Sequence, residues 1–330
     1  MSNYDKKFNI AVIGCGNWGK NHIRVLNELG VLHSISDQNS ATAAAYSAQY
    51  QVPFYSLEDI IHNPDINGVV IATPAQVHFE IGMRCLQSGK SIFVEKPLTL
   101  TLEEAQKLDE EAKKQNLTLM VGHLLHYHAG FLKIKELKEN GSLGKLHYIY
   151  SNRLNLGKFR TEEDIWWSFA PHDVSMILGL IGDMPNNVVA REAKYLQHTA
   201  ADITSAHLTF PKGEQAHIFV SWLHPYKEQK LIIIAEKAML VFDDTQPWES
   251  KLQLYPYPTQ WVDGLPQPCH SQAENIHLEK NEPLKQEAQH FLDCIAHHCT
   301  PITDGAEAIR VLKVMLAAKD AIHQSQEIQS

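Results

Sequence analysis

Three groups of residues in this chain have the types and spacings that chemistry needs. The first is Gly14-x-Gly16-x-x-Gly19, which follows the apolar stretch Phe8–Ile13 and opens a helical pattern. In that setting Gly14 permits a tight turn, Gly16 lets the backbone approach a pyrophosphate, and Gly19 lets the helix pack closely on the strand. The pyrophosphate then lies against free N–H groups at the positive end of a helix dipole. Asn17 and Trp18 belong to the same turn and are expected to line the cofactor. Asp37 ends the run Val31–Asp37, 23 positions beyond Gly14, close to the roughly 20 expected for the carboxylate that binds the adenosine ribose. Such a carboxylate accepts hydrogen bonds from a 2′-hydroxyl and repels a 2′-phosphate. No Arg or Lys follows in Gln38–Ala43, so the pattern points to NAD rather than NADP.

The second group sits at strand ends, where ligands bind in an open parallel sheet. Ala72-Thr73-Pro74, with His78 four positions on, and Glu95-Lys96-Pro97 both close apolar runs. A lysine that ends such a strand, fixed by the following proline, can share a substrate hydroxyl's proton or stabilise a developing alkoxide. The third group lies in the second half of the chain. His172 precedes Asp173 at the start of an apolar helical pattern, and its imidazole can take a proton as hydride leaves the same carbon. Arg153, Lys158 and Arg160 interleave with Asn152 and Asn155, a mix suited to hydroxyls and phosphates.

The elements that must position these residues fall into two halves. Residues 1–122 alternate strand and helix patterns. Strands are expected at 8–13, 31–37, 52–55, 68–73, 91–96 and 117–121, with helices between them, including 40–49, 57–62, 75–88 and 101–115. Continuous apolar runs such as Gly68–Thr73 are those of buried parallel strands, and repeated βα units imply a doubly wound Rossmann sheet. Residues 123–330 change character. A helix at 129–140 leads to a long strand at 145–153, an apolar helix at 172–181 and alternating strands at 188–195, 204–210, 215–222, 230–234 and 238–242. That pattern predicts an α/β domain on a large, mostly antiparallel open sheet, serving substrate binding and oligomerisation. Residues 244–282 read as irregular surface or lid, and helices at 283–297 and 303–324 close the chain, with the option of packing back on the first domain.

Composition bounds the function. The 330 residues suit two domains, and 44% hydrophobic with 20% charged residues is ordinary globular usage. No apolar run of about 20 residues occurs, and Met1–Lys7 lacks the apolar core of a signal peptide. The five cysteines, Cys15, Cys85, Cys269, Cys294 and Cys299, have no zinc or disulfide spacing, so a cytoplasmic location is expected. A net charge of −9 without a basic block argues against nucleic acid or an anionic membrane as partner. Among 19 histidines the densest group is His123-x-x-His126-x-His128, which no single regular element gathers on one face, so no metal is expected.

Taken together, Gly14–Gly19, Ala72–Pro74 with His78, Glu95–Pro97 and Ala170–Ser175 resemble the Gfo/Idh/MocA oxidoreductase family over nearly the whole chain. The resemblance implies a nicotinamide enzyme with an N-terminal Rossmann domain and a C-terminal α/β domain whose open sheet commonly forms the oligomer interface. It implies that Lys96 and His172 act at the hydroxyl being oxidised, and that Tyr127 and His128 face the substrate cleft. Many members carry Asp four residues before this histidine; here that position is Ser168, which leaves the proton path to Lys96 and His172 with Asp173. Within the family, the segments 123–128, 153–158, 170–173 and 221–229 are similar to nucleotide-sugar 3-dehydrogenases. These oxidise the C3 hydroxyl of UDP-N-acetylglucosamine or its uronate. That likeness implies a nucleotide-sugar substrate, a downstream aminotransferase in a route to 2,3-diamino sugars of lipid A or polysaccharide, and a homodimer or homotetramer. Dehydrogenation of another sugar or an inositol is the alternative on the same scaffold. A cofactor-sensing regulator is a further alternative, but it would have lost the lysine or the histidine, and both are present.

Overall fold

The computed structural model describes residues 8–157, 163–196, 199–256, 260–267 and 272–327. The chain divides into two compact units, Met1–Tyr127 with Glu282–Leu312, and His128–Asn281 with Lys313–Ser330.

The first unit runs β1 (Ile10–Ile13), α1 (Gly19–Glu28), β2 (Leu32–Ser36), α2 (Ser40–Tyr50), α3 (Leu57–His62), β3 (Gly68–Ile71), α4 (His78–Gln87), β4 (Ser91–Val94), α5 (Leu102–Lys114) and β5 (Leu119–Val121). The strands β1, β3, β4 and β5 are buried at every position, as continuous apolar runs with helices on both faces should be. Helix starts are locally encoded. The Asn39 side chain accepts from the Ala41 and Thr42 N–H groups at α2, Ser56 and Asp59 form a reciprocal capping box at α3, and Thr101 accepts from Glu104 N–H at α5. All pairings are parallel in the order β2-β1-β3-β4-β5. Strand order reverses between β1 and β3, which places a ligand crevice beyond their carboxyl ends.

One expectation fails here. Val52–Tyr55 does not form a sheet strand; Phe54 makes a single bridge to Ile35, with Ile35 N–H donating to Pro53 and Tyr55 N–H donating to Ile35. Pro53 lacks the N–H that a longer ladder would need. The sheet therefore has five strands, and Lys96 follows the fourth. The helix expected from residue 75 opens with a 3₁₀ turn over Ala75–Val77 before α4 begins.

The second unit contains α6 (Ala129–Glu139), β6 (Leu146–Leu154), α7 (Ile165–Ile181), β7 (Asn187–Ala193), β8 (Ile203–Thr209), β9 (Gln215–Ser221), β10 (Glu228–Ala235) and β11 (Ala238–Asp243). These are followed by β12 (Leu252–Pro256), β13 (Gln260–Val262), β14 (Leu265–Gln267) and β15 (Glu274–Asn275). Eight of the strands form one sheet, ordered β15-β12-β11-β10-β6-β9-β8-β7, antiparallel except where β6 meets β9. Along β8 and β9 every second residue is buried, which gives the sheet one packed face and one wetter face. Two expectations are corrected. Residues 244–282 are not wholly irregular, because β12 pairs with β11 and β15 with β12, while β13 and β14 form a separate hairpin. The apolar helix starts at Ile165 rather than His172, and Pro171 lies inside it. Asp164 caps it, accepting from Trp167 N–H at 3.0 Å.

Two helices end the chain. Helix α8 (Pro283–His297) joins the first unit, where Leu284, Ala288, Phe291 and Leu292 complete a core containing Ile10, Val12, Ile23, Leu26, Val70, Phe93 and Tyr127. The last helix, α9 (Gly305–Glu327), begins within the first unit's residues and ends within the second's. No helix among the described residues is long and apolar enough to cross a membrane.

Candidate functional site

The three glycines of the first turn have different surroundings. Gly14 adopts φ +94°, and a Cβ there would lie 2.6 Å from the Ala72 carbonyl oxygen. A Cβ on Gly19 would lie 1.8 Å from the Gly14 oxygen, so β1 and α1 can meet only through glycine. Gly16 is different: its added Cβ would meet no atom within 4 Å. Its added Cβ would stand in open space, where a ligand can approach the backbone. Gly16, Asn17 and Trp18 are exposed at this strand end, with Trp18 immediately before α1. The Asp37 carboxylate accepts from Cys15 N–H at 2.6 Å and from Asn39 N–H at 2.8 Å. A carboxylate has about four acceptor positions, so Asp37 keeps capacity for ribose hydroxyls while tying the glycine turn to the end of β2. These residues fit a dinucleotide.

The strand ends beyond β3 and β4 are braced by His78. It is buried, with Nε2 at 2.8 Å from the Thr73 carbonyl and Nδ1 at 2.8 Å from the Pro97 carbonyl. Burial lowers its pKa, although the two carbonyls oppose that shift. His78 thus ties the Thr73-Pro74 loop to the Lys96-Pro97 loop, and its ring faces backbone rather than solvent. Pro74 is exposed and Lys96 half-buried, while the Thr73 hydroxyl is enclosed without a protein partner. The peptide before Pro97 is cis.

Glu95 points inward. Its carboxylate bonds His22 Nε2 of α1 at 2.7 Å and accepts Lys96 N–H at 3.3 Å. Burial pushes Glu95 upward, but His22 and Lys96 outweigh it and hold the group below its usual range. Sequence reasoning missed His22, although its place three residues after Gly19 aligns it with the glycine-bearing face of α1. A second buried carboxyl, Glu287 of α8, is raised well above its ordinary pKa by burial and by the charge on Glu95. Tyr127 lies 4% exposed, its hydroxyl 3.1 Å from Thr303 Oγ1, and burial raises its phenol strongly. It is part of the first unit's core, not a side chain opening to a cleft as the resemblance implied.

In the second unit His172 is half-buried within α7. Pro171 beside it has no N–H to offer the preceding turn, which sets this stretch of helix apart. Ser168, one turn earlier, is buried. Asp173 and Arg153, both expected at the substrate, are bonded to each other. Arg153 Nε donates to Asp173 Oδ2 at 2.8 Å and Nη2 to Oδ1 at 3.1 Å, while Ser151 donates to Oδ1 at 2.5 Å. This bidentate pair is nearly dry, with Arg153 9% and Asp173 1% exposed, and it locks β6 to α7. Asn155 continues from β6, its N–H donating to the Ser221 carbonyl. Lys158 and Arg160 lie outside the described residues. His128 caps α6, with Nδ1 accepting from Gly130 N–H at 3.0 Å. Nε2 therefore carries the proton and faces Asp244 at 3.3 Å, while the ring stacks on Trp248 at 5.4 Å. Among the described residues no three His, Cys, Asp or Glu side chains group so as to hold a metal ion.

Comparison with known proteins agrees with the fold. The Gfo/Idh/MocA model described as an oxidoreductase family with an NAD-binding Rossmann fold matches residues 8–123, and a Gfo/Idh/MocA C-terminal domain matches residues 131–241. The chain belongs to the Gfo/Idh/MocA oxidoreductase family, and its first unit is the family's NAD-binding domain. It is 27% identical over 313 residues to UDP-N-acetylglucosamine 3-dehydrogenase of Acidithiobacillus ferrooxidans, covering 94% of this chain and 96% of that one. A solved structure of that enzyme matches with a TM-score of 0.84 at 26% identity, over 97% of this chain and 99% of the other. The NAD(+)-dependent scyllo-inositol 2-dehydrogenase of Bacillus subtilis is 23% identical, covering 97% of this chain and 95% of its own.

Proposed function

We propose that this protein is a dehydrogenase that oxidises the C3 hydroxyl of a UDP-N-acetylated hexose, UDP-N-acetylglucosamine or its uronate, to a 3-keto sugar. The observation that carries the reading is the likeness to UDP-N-acetylglucosamine 3-dehydrogenase, which runs through nearly the full length of both chains. NAD, when bound, is the hydride acceptor. Gly14, Gly16, Asn17, Trp18 and Gly19 hold its phosphates, and Asp37 holds the adenosine ribose and disfavours a 2′-phosphate. Thr73, Pro74 and Glu95 shape the strand ends around it, and His78 fixes them. Lys96 polarises the hydroxyl oxygen and His172 takes its proton. Asp173 is committed to Arg153 and Ser151, so it holds α7 in place rather than relaying the proton. With Arg153 neutralised in that pair, Lys158 and Arg160 are the cations left, of the three read from the sequence, to meet the UDP diphosphate, with Asn155 as a polar partner.

The ketone is passed to an aminotransferase, in the cytoplasm, toward 2,3-diamino sugars of lipid A or polysaccharide. The wetter sheet face, which carries Tyr148, Tyr150, His207, His217 and Phe219, supports a homodimer or homotetramer. A monomer by light scattering at every concentration would refute the assembly.

The test is NADH formation with UDP-N-acetylglucosamine and its uronate side by side, using enzyme stripped of bound cofactor and a coupled aminotransferase to remove ketone. Turnover on one supports the reading. Silence on both, with NAD binding intact, overturns it. Scyllo-inositol belongs in the same assay, because the inositol dehydrogenase also aligns over nearly the whole chain. Lys96→Met and His172→Ala should each lower turnover by about 10²- to 10⁴-fold while NAD still binds; near-normal turnover removes that residue from the mechanism.

A further inference from the structure

The turn after α8 brings two cysteines together. His298 adopts a left-handed conformation, φ 50°, and Cys299 N–H donates to the Cys294 carbonyl at 3.3 Å. The two Sγ atoms then lie 3.4 Å apart. Cys294 is fully buried and Cys299 is exposed. Cys299 also lines a cavity of about 220 Å³ with Asp109, Lys113, Leu119 and Pro301, large enough to admit a small oxidant. One helical turn before Cys294, His290 places Nε2 3.5 Å from the Cys294 sulfur, and the same nitrogen accepts Ile302 N–H at 3.0 Å. A ring nitrogen that accepts carries no proton, so His290 is neutral, and its one Nε2 lone pair is engaged by the Ile302 N–H beside the Cys294 sulfur. Burial, which lowers the His290 pKa, holds it in that form. Burial also pushes the Cys294 thiol up to about 12, while Cys299 is exposed at the cavity, so Cys299 is the sulfur that a soluble oxidant reaches first.

We infer that Cys294 and Cys299 form a peroxide-reactive dithiol that closes reversibly to an intramolecular disulfide. The Cys299 thiolate attacks one oxygen of hydrogen peroxide. An S–O bond forms, the O–O bond breaks, and the hydroxide released takes up a proton to leave as water. Cys294 sulfur then attacks the Cys299 sulfenic sulfur while its proton passes to the departing hydroxide. The S–S bond forms, the S–O bond breaks, and the second water leaves. Two thiols have lost two electrons and two protons to the peroxide, which is reduced to two waters. Closing 3.4 Å to a bond of about 2.05 Å is a small movement for a turn at a helix end. The tether constrains the segment leading to Thr303, whose carbonyl accepts Val121 N–H at 2.8 Å and whose hydroxyl meets Tyr127.

The test reads mass, not turnover, and so stands apart from the choice of substrate. Full-length protein carrying Cys269→Ser is treated with hydrogen peroxide, digested without reduction and mapped. The expected product is a Cys294–Cys299 cross-link, lighter by two hydrogens and restored by dithiothreitol. Cys294→Ala should instead leave oxygen adducts on Cys299. Stable oxygen adducts on Cys299 beside a free Cys294 in the otherwise native chain, or a Cys299 link between two chains, overturn the dithiol.

Discussion

Replacing Gly16 by alanine separates what the glycine turn does for the fold from what it does for the cofactor. A methyl group at Gly16 meets no atom within 4 Å, whereas at Gly19 it would stand 1.8 Å from the Gly14 oxygen. Gly16 also avoids the left-handed backbone region that Gly14 occupies at φ +94°, so alanine fits there without strain. The folded protein should therefore tolerate Gly16→Ala, and lower unfolded-chain entropy should add about 0.4–1 kcal/mol of stability. Bound NAD should meet the methyl where its pyrophosphate approaches the backbone. Overpacking of one methyl costs about 1–3 kcal/mol. At about 1.4 kcal/mol per tenfold, NAD affinity should fall roughly five- to hundredfold. Thermal unfolding of apo protein and calorimetric titration with NAD measure the two effects separately. Gly19→Ala is the control, and it should lose stability outright. Unchanged NAD affinity in a folded Gly16→Ala protein would refute the assignment of this space to the cofactor. A fall in apo stability matching that of Gly19→Ala would refute the reading that the space is free.

Other sites make separate demands. Burial raises the Asp244 carboxyl, but His128 and Lys251 prevail and hold its pKa at about 2, below the ordinary 3.8. That stabilisation is present above about pH 4 and lost as pH falls toward 2, so Asp244→Asn should cost about 2 kcal/mol at pH 7 and flatten the acid limb in urea titrations. Equal loss at pH 7 and pH 2 would contradict it. Removing Arg153 alone, as Arg153→Met, leaves Asp173 charged in a dry site and should cost about 3–5 kcal/mol; the double change Arg153→Met with Asp173→Leu should recover most of it by the same denaturant measurement. Glu287 has a raised pKa, so the stability tied to its protonated form is full below the ordinary carboxyl range and is lost as pH rises through the folded value. Glu287→Gln should therefore make unfolding midpoints less sensitive to alkaline pH, and an unchanged alkaline slope would place the loss elsewhere.

The parts of this protein written into neighbouring residues could be read without coordinates. The glycine turn, the capped starts at Asn39, Ser56 and Thr101, and the buried runs of β1, β3 and β4 depend on residues within a few positions of one another. Chain direction and period therefore reveal them. Reading α7 from His172 failed because Pro171 looks like a first-turn proline, while the cap at Asp164 opens the helix a full two turns earlier. Strand β12 was hidden among prolines and polar residues; what makes it a strand is the open edge of β11, which supplies hydrogen-bond partners that the segment itself does not specify.

The sequence by itself determined the fold class, the dinucleotide turn, Asp37 and the strand-end positions of Thr73 and Lys96, because local sterics and periodicity act over short stretches of chain. Tertiary structure alone decided which polar groups spend their charge on each other. His22 finds Glu95 across 73 positions, His123 finds Glu307 across 184, and Arg153 finds Asp173 from the next element. These partnerships turned Arg153 and Asp173 into a buried brace, made His78 a tie between two loops, and drew Tyr127 into the core. No spacing rule foretells them, since a buried polar group must be satisfied by whichever partner the packed chain delivers to it.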